Sequence, residues 1–117
     1  QERRAVREPA ALKHAVLDFQ EFLKKYPDSA YAANAHYQMG YAYHNLKDYK
    51  NALDSYQLLV NKYASNEYVP DAMLGIADCQ QQLKAVLGAR KTFNQIIEKY
   101  PGSKFADLAK KRLDNMK

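Results

Sequence analysis

The sequence predicts an all-α fold in which antiparallel helix pairs stack side by side. Three observations carry this prediction. Residues recur at a fixed step of 37, apolar residues within each copy recur at helical spacing, and only four glycines and four prolines occur in 117 residues. So few turn-forming residues are atypical of a β-rich fold or of a disordered chain. A chain of this length has room for one domain and one continuous core.

The repeat consists of three segments that align without a gap. The equivalent sets are Ala15, Phe19, Phe22 and Tyr26; Ala52, Tyr56, Leu59 and Tyr63; and Ala89, Phe93, Ile96 and Tyr100. Within each set, spacings of four, three and four residues place all four side chains on one face of a helix. A period of about 20 to 50 residues is typical of stacked-repeat proteins.

Turn and capping residues give the limits of the helices. Pro27 and Pro101 follow the last tyrosine of the first and third sets, and a proline disfavours helical geometry in the residue before it. Ala64 in the second set predicts a softer stop. The predicted N-caps, again 37 residues apart, are Ser29, Asn66 and Ser103. We therefore expect a single domain over residues 1–117, with helices at approximately 10–26, 30–46, 48–63, 67–84, 86–100 and 104–116.

The first predicted helix lacks a packing partner on its N-terminal side. Only residues 1–8 precede Pro9, which itself suits the first turn of a helix. We expect helix 10–26 to expose an apolar face that an upstream segment or a second copy of the chain would cover. The sequence thus predicts weak self-association.

The net charge of +5 lies mainly at the two ends of the chain. The basic residues there are Arg3, Arg4, Arg7, Lys104, Lys110, Lys111, Arg112 and Lys117. A nucleic-acid adaptor would need a basic stripe interleaved with exposed aromatic residues. Solvated ends of a helical stack explain the pattern better, so we expect no nucleic-acid partner; binding over a salt series distinguishes the two interpretations.

The residues that could carry chemistry do not converge. His36 and His44 lie eight residues apart, roughly 12 Å along one helix, and the single Cys79 is expected to be a buried apolar residue. The sequence has no glycine-rich phosphate loop and no Cys-x-x-Cys motif. We expect no catalytic residue, no metal, no cofactor and no enzymatic activity. No apolar run reaches the roughly 20 residues that span a membrane.

The order Met39-Gly40, Tyr43, Ala52 and Tyr56 resembles the tetratricopeptide repeat pattern. The next unit matches with Gln80 in place of the tyrosine, and Ala85 replaces the capping Asp48 of the first pair. This resemblance implies helix pairs stacked in a short right-handed superhelix with a C-terminal capping helix. It also implies a scaffold that binds a protein or peptide in a concave groove.

The groove is predicted by counting from Gly40 and Ala77 along the first helix of each pair. Residues facing away from the partner helix are Asn34, Tyr37, Tyr41, His44, Asn45, Asp71, Leu74, Asp78, Gln81 and Gln82. Tyr43 is assigned to the core. Tyrosine combines contact area with a polar tip, which suits peptide recognition. Asp71 and Asp78 favour a partner with basic or amide groups. A groove that binds a partner through its free C-terminal carboxylate would instead need lysines, which this set of residues lacks.

Longer sequence segments point to a particular family among tetratricopeptide repeat proteins. Residues 22–29 (FLKKYPDS), 35–40 (AHYQMG) and 99–103 (KYPGS), with the basic end of the chain, look like the C-terminal domain of the Tol–Pal accessory protein of CpoB/YbgF type. That family implies a periplasmic cell-division coordinator whose signal peptide lies outside this fragment. Its implied partners are the Tol energy-transducing protein and a peptidoglycan synthase.

The β-barrel-assembly lipoprotein of the outer membrane contains very similar sequence segments and is the alternative to the Tol–Pal family. The upstream sequence distinguishes the two families. A coiled coil is expected for the first, and a lipidated cysteine leading directly into further repeats for the second.

Overall fold

The computed structural model describes residues 9–116, which form six helices. They are α1 (Pro9–Lys25), α2 (Ala32–Asn45), α3 (Tyr49–Lys62), α4 (Val69–Gln82), α5 (Val86–Lys99) and α6 (Lys104–Asn115). The all-α class with stacked neighbouring helices is confirmed, and each end lies within two residues of the expected one. Arg3, Arg4, Arg7 and Lys117 lie outside the described residues.

The helices form an inner and an outer layer. Each helix packs against the next one in the chain, and in addition α2 contacts α4 and α4 contacts α6. Because α2, α4 and α6 contact one another in turn, these three helices form the inner layer of the stack. The first complete pair is therefore α2 with α3, the second is α4 with α5, and α6 closes the end.

The repeat positions form the core of the two complete pairs. Leu59, Phe93 and Ile96 have no exposed surface. In α1 the equivalent Phe19 and Phe22 are only half-buried, and Leu17 is 59% exposed. Within residues 9–116 the apolar face expected on the first helix is thus only partly covered, while self-association remains a prediction.

Two of the three predicted N-caps do not cap the following α-helix. The Ser103 hydroxyl accepts from the Ala106 amide at 3.1 Å and caps α6. Ser29 and Asn66 instead accept from the amides of Tyr31 and Tyr68, two residues on, at 3.0 and 2.8 Å. These bonds hold a tight turn, so that α2 and α4 begin three residues after the predicted cap.

The predicted softer stop at Ala64 is wrong. Helix α3 ends at Lys62 just as α5 ends at the equivalent Lys99, and the next tyrosines have matching backbone angles, with φ of −124° and −128°. The amide of Asn66 donates to the carbonyl of Tyr63 at 2.9 Å. This backbone turn ends the helix without help from a proline.

The turn inside each pair has a left-handed lysine. Lys47 and Lys84 have φ of 63° and 69°, in a conformation usually taken by glycine. The amides of Asp48 and Ala85 donate back to the carbonyls of Tyr43 and Gln80 and close both turns. Asp48 also caps α3 through its side chain, whereas Ala85 makes no side-chain cap on α5.

Tyr56 of α3 holds the inner layer together. Its side chain is 3% exposed and lies between two glycines, Gly40 of α2 and Gly75 of α4. A Cβ atom added at Gly40 would lie 2.7 Å from one edge of the Tyr56 ring, and one added at Gly75 would lie 2.5 Å from the other. Both helices approach the ring more closely than any other residue type would allow.

We therefore expect Gly75→Ala to destabilise the fold. The methyl group gains up to about 1 kcal/mol of helix propensity, but overpacking against a rigid buried ring costs about 1–3 kcal/mol. Chemical denaturation measures the loss in the free energy of unfolding. In the matched control Gly88→Ala, the new Cβ meets the flexible amide end of Gln80 at 3.1 Å, and a loss as large there would contradict this explanation.

Candidate partner-binding surface

A cluster of tyrosines marks the inner layer where α2 meets the start of α4. The ring of Tyr37 stacks on that of Tyr68, with centroids 4.6 Å apart and planes within 7° of parallel. Tyr37 also contacts the rings of Tyr41 and Tyr56, at 6.5 and 6.1 Å. Stacking of this kind stabilises the junction between repeats.

The same cluster presents polar tips to the surface. Tyr41 is 53% exposed, while Tyr37 is half-buried by its neighbours. Burial, followed by the nearby Asp71 carboxylate, raises the pKa of the Tyr37 phenol above its ordinary value of 10. The phenol is protonated at neutral pH even with its ordinary pKa, as a hydrogen-bond donor requires, and the raised pKa extends this state to higher pH.

His44 continues this surface one turn further along α2. Its ring meets the rings of Tyr49 and Tyr56 edge-on, at centroid distances of 5.7 and 6.2 Å. It is also close enough to the carboxyl group of Asp78 to lower the pKa of that group. The structure thus brings Tyr37, Tyr41 and His44 of α2 together with Asp71 and Asp78 of α4.

Asp78, which is predicted to favour a basic or amide partner, already has a basic partner within the chain. It forms an ion pair with Arg112 of α6. Burial nevertheless raises the pKa of Asp78, and Arg112 and His44 only partly oppose that shift. The carboxylate therefore already joins α4 to α6, and its role in binding a partner stays a prediction.

Leu74 is also misplaced by the sequence analysis. It is 9% exposed and belongs to the core cluster that includes Phe93 and Ile96. Leu74 is the 37-residue equivalent of Tyr37, and like it faces the next helix of the inner layer. Helix α4 has neighbours on both sides, so that this position is covered.

The remaining predicted residues take different places. Asn34 lines a cleft between α1 and α2. The Asn45 side chain donates to the backbone carbonyl of Tyr41 at 3.0 Å. Gln81 is half-buried and Gln82 is exposed. We define the inner surface by the residues that do come together: Tyr37, Tyr41, His44, Asp71 and Asp78.

Sequence reasoning missed three residues that shape the inner surface: Tyr68, Gly75 and Arg112. The position of Tyr68 could have been predicted from the sequence, because this residue follows the turn at Asn66 and is aligned with Tyr31. Gly75 is aligned with Gln38, so that the repeat gives no hint of its role. Arg112 belongs to the basic C-terminal cluster, and the repeat gives no signal for its pairing with Asp78.

The described residues offer no alternative chemistry at this surface. Within residues 9–116 no three His, Cys, Asp or Glu side chains are grouped closely enough to hold a metal ion. Cys79 is fully buried, and burial raises the pKa of its thiol to about 12. In the same part of the chain, none of the helices has the length and apolar character to cross a membrane.

The Asp78–Arg112 pair predicts the outcome of a charge reversal. Asp78→Lys would place two cations together and lower the free energy of unfolding by about 1 kcal/mol, as expected for a partly exposed pair. Adding Arg112→Asp would restore most of that loss. Urea denaturation of the two single variants and the double variant gives the coupling.

Asp54→Lys, at an exposed position of α3, is the control and should change stability by less than about 0.5 kcal/mol. No recovery in the double variant would show that the pair does not stabilise the α4–α6 junction.

Comparison with known families agrees with the repeat architecture. A tetratricopeptide repeat family (TPR_6) matches residues 71–103, and an outer membrane lipoprotein family (YfiO) matches residues 1–64. None of the curated proteins matches the chain. Neither matched family is an enzyme family, and together they indicate a protein-interaction scaffold of the cell envelope. Because the second match covers more than half of the 117 residues, the chain belongs to the outer membrane lipoprotein (YfiO) family.

Proposed function

We propose that the inner surface binds a polypeptide segment of another cell-envelope protein. The observation that carries this proposal is Tyr41, which is 53% exposed although it lies in a cluster of otherwise covered tyrosines. A half-exposed tyrosine on a rigid helix offers contact area at a low cost in conformational entropy. Asp71 and His44 beside it add an acceptor and a donor for basic or amide groups.

Two assembly systems fit such a scaffold. The family match over residues 1–64 favours an outer-membrane scaffold of the β-barrel-assembly lipoprotein type. The phrase at residues 99–103 and the basic helix after it, which lie outside that match, support the Tol–Pal coordinator type in the periplasm. In the second case the partners would be the Tol energy-transducing protein and a peptidoglycan synthase.

A nucleic-acid adaptor is less well supported. Arg112 is paired with Asp78, and the Lys104 ammonium lies over the ring of Phe105, 5.3 Å from its centroid. Two members of the basic C-terminal cluster therefore already have partners within the chain. A phosphate-binding stripe would need such cations to point outward together.

The proposal predicts that Tyr41→Ala weakens partner binding by about tenfold or more, as expected for a central aromatic contact. Affinity is measured by calorimetry against purified soluble domains of the β-barrel-assembly machinery, the Tol energy-transducing protein and the peptidoglycan synthase. Circular dichroism should be unchanged, because the side chain is half exposed.

Tyr26→Ala is the matched control. Tyr26 is similarly exposed, at 57%, but lies just after α1, away from the inner surface. Equal effects of the two substitutions, or binding to none of the three domains, would remove the inner surface from the proposal.

A further inference from the structure

The turn between α4 and α5 carries aliphatic side chains that the core does not bury. Leu83, directly after α4, is 43% exposed, and Val86 and Leu87, which begin α5, are 46% and 83% exposed. Within residues 9–116, Leu87 is the most exposed of the large hydrophobic residues. We refer to Leu83, Val86 and Leu87 as the α4–α5 tip.

The equivalent turn of the first pair shows that the fold does not require these residues. The two turns have the same left-handed lysine and are closed by the same backbone hydrogen bonds. Leu87 is aligned with Lys50, which is exposed, and Ala85 is aligned with Asp48, which caps α3. The second turn therefore gives up a helix cap and exposes a leucine without any gain in core packing.

The tip is surrounded by positive charge. Lys84 lies within the turn, and Lys91 follows Leu87 by four residues, which places it on the same face of α5. Both lysines are exposed. No acidic residue occurs between positions 81 and 91, whereas two aspartates balance the two lysines of the equivalent stretch 44–54. The second turn thus combines an apolar centre with a cationic surround.

We propose that the α4–α5 tip inserts into the headgroup layer of an anionic lipid membrane. Its aliphatic side chains enter the boundary between headgroups and acyl chains, and Lys84 and Lys91 meet the lipid phosphates. Burial of apolar side chains and attraction of lysines to anionic lipids are the two contributions that hold proteins at a membrane surface. This site lies at one end of the stack and does not depend on what the inner surface binds.

The size, position and charge of the tip favour a membrane over a protein. A standard protein interface buries roughly 800 Å² on each partner around a well-packed apolar centre. Three aliphatic side chains on a turn between two helices are too few for that, but a lipid surface needs no pocket to receive them. A second copy of the chain would bring the same positive charge to the tip, and like charges facing one another oppose association.

A single tryptophan reports the environment of the tip, because the chain has no tryptophan of its own. Leu87→Trp is mixed with vesicles of equal parts phosphatidylglycerol and phosphatidylcholine. We expect a blue shift of the emission and quenching by lipids that are brominated on their acyl chains. Both effects should be weaker with pure phosphatidylcholine. Leu108→Trp, at a 40% exposed position of α6, is the control and should show neither.

Vesicle sedimentation separates the apolar from the charged contribution. Leu87→Asn should weaken binding to the anionic vesicles about tenfold, since it removes the burial of a leucine side chain. Lys84→Gln together with Lys91→Gln should weaken it by about tenfold or more. Circular dichroism should be unchanged in these variants, because all three side chains are exposed.

Each variant has a matched control elsewhere on the chain. Leu108→Asn removes a leucine outside the tip and should leave binding nearly unchanged. Lys62→Gln together with Lys99→Gln removes the same charge from exposed positions at the opposite ends of α3 and α5. This pair should weaken binding much less than the pair at the tip.

Four results would overturn the proposal. These are no binding to the anionic vesicles, equal losses from Leu87→Asn and Leu108→Asn, binding without a blue shift in Leu87→Trp, and self-association that Leu87→Asn abolishes. The third result would mean that the chain adsorbs through charge alone. The fourth would assign the tip to a second copy.

Discussion

The packing of Tyr56 between two glycines is the contact on which the rest of the structure depends. One ring joins three helices, because its edges meet Gly40 of α2 and Gly75 of α4 while its own backbone belongs to α3. The close approach of α2 and α4 that follows places Tyr37 on Tyr68. Tyr41, His44 and Asp78 come near one another for the same reason, so that the inner surface is a consequence of how the core is packed.

The two ends of the stack differ in which side chains they bury. At the C-terminal end, α6 buries Ala106 and Ala109 and turns charged residues outward. At the N-terminal end of the described residues, the equivalent repeat positions Phe19 and Phe22 of α1 are only half-buried. Stacked-repeat domains gain stability from each interface between neighbours.

The regular part of this fold could be predicted from the sequence, because stacking depends on a periodic apolar face that repeats every 37 residues. The features that depart from that period could not be predicted from the sequence. Gly75 has no glycine at the equivalent position, and the left-handed Lys47 and Lys84 give no local signal. The binding surface was predicted less accurately than the fold, because counting along one helix does not take the neighbouring helices into account. Leu74 is covered from the side of α6, and Asp78 is paired with Arg112.

The most direct test of the central packing is a nuclear Overhauser spectrum of the intact chain. A Cβ atom built at Gly40 would lie 2.7 Å from Cδ1 and Cε1 of Tyr56, and one built at Gly75 would lie 2.5 Å from Cε2 on the opposite edge. The protons on these ring carbons should therefore give cross-peaks to the Hα protons of Gly40 and of Gly75. We expect both sets of cross-peaks in the same folded species. Cross-peaks to only one glycine, or to neither, would show that α2 and α4 do not meet around Tyr56.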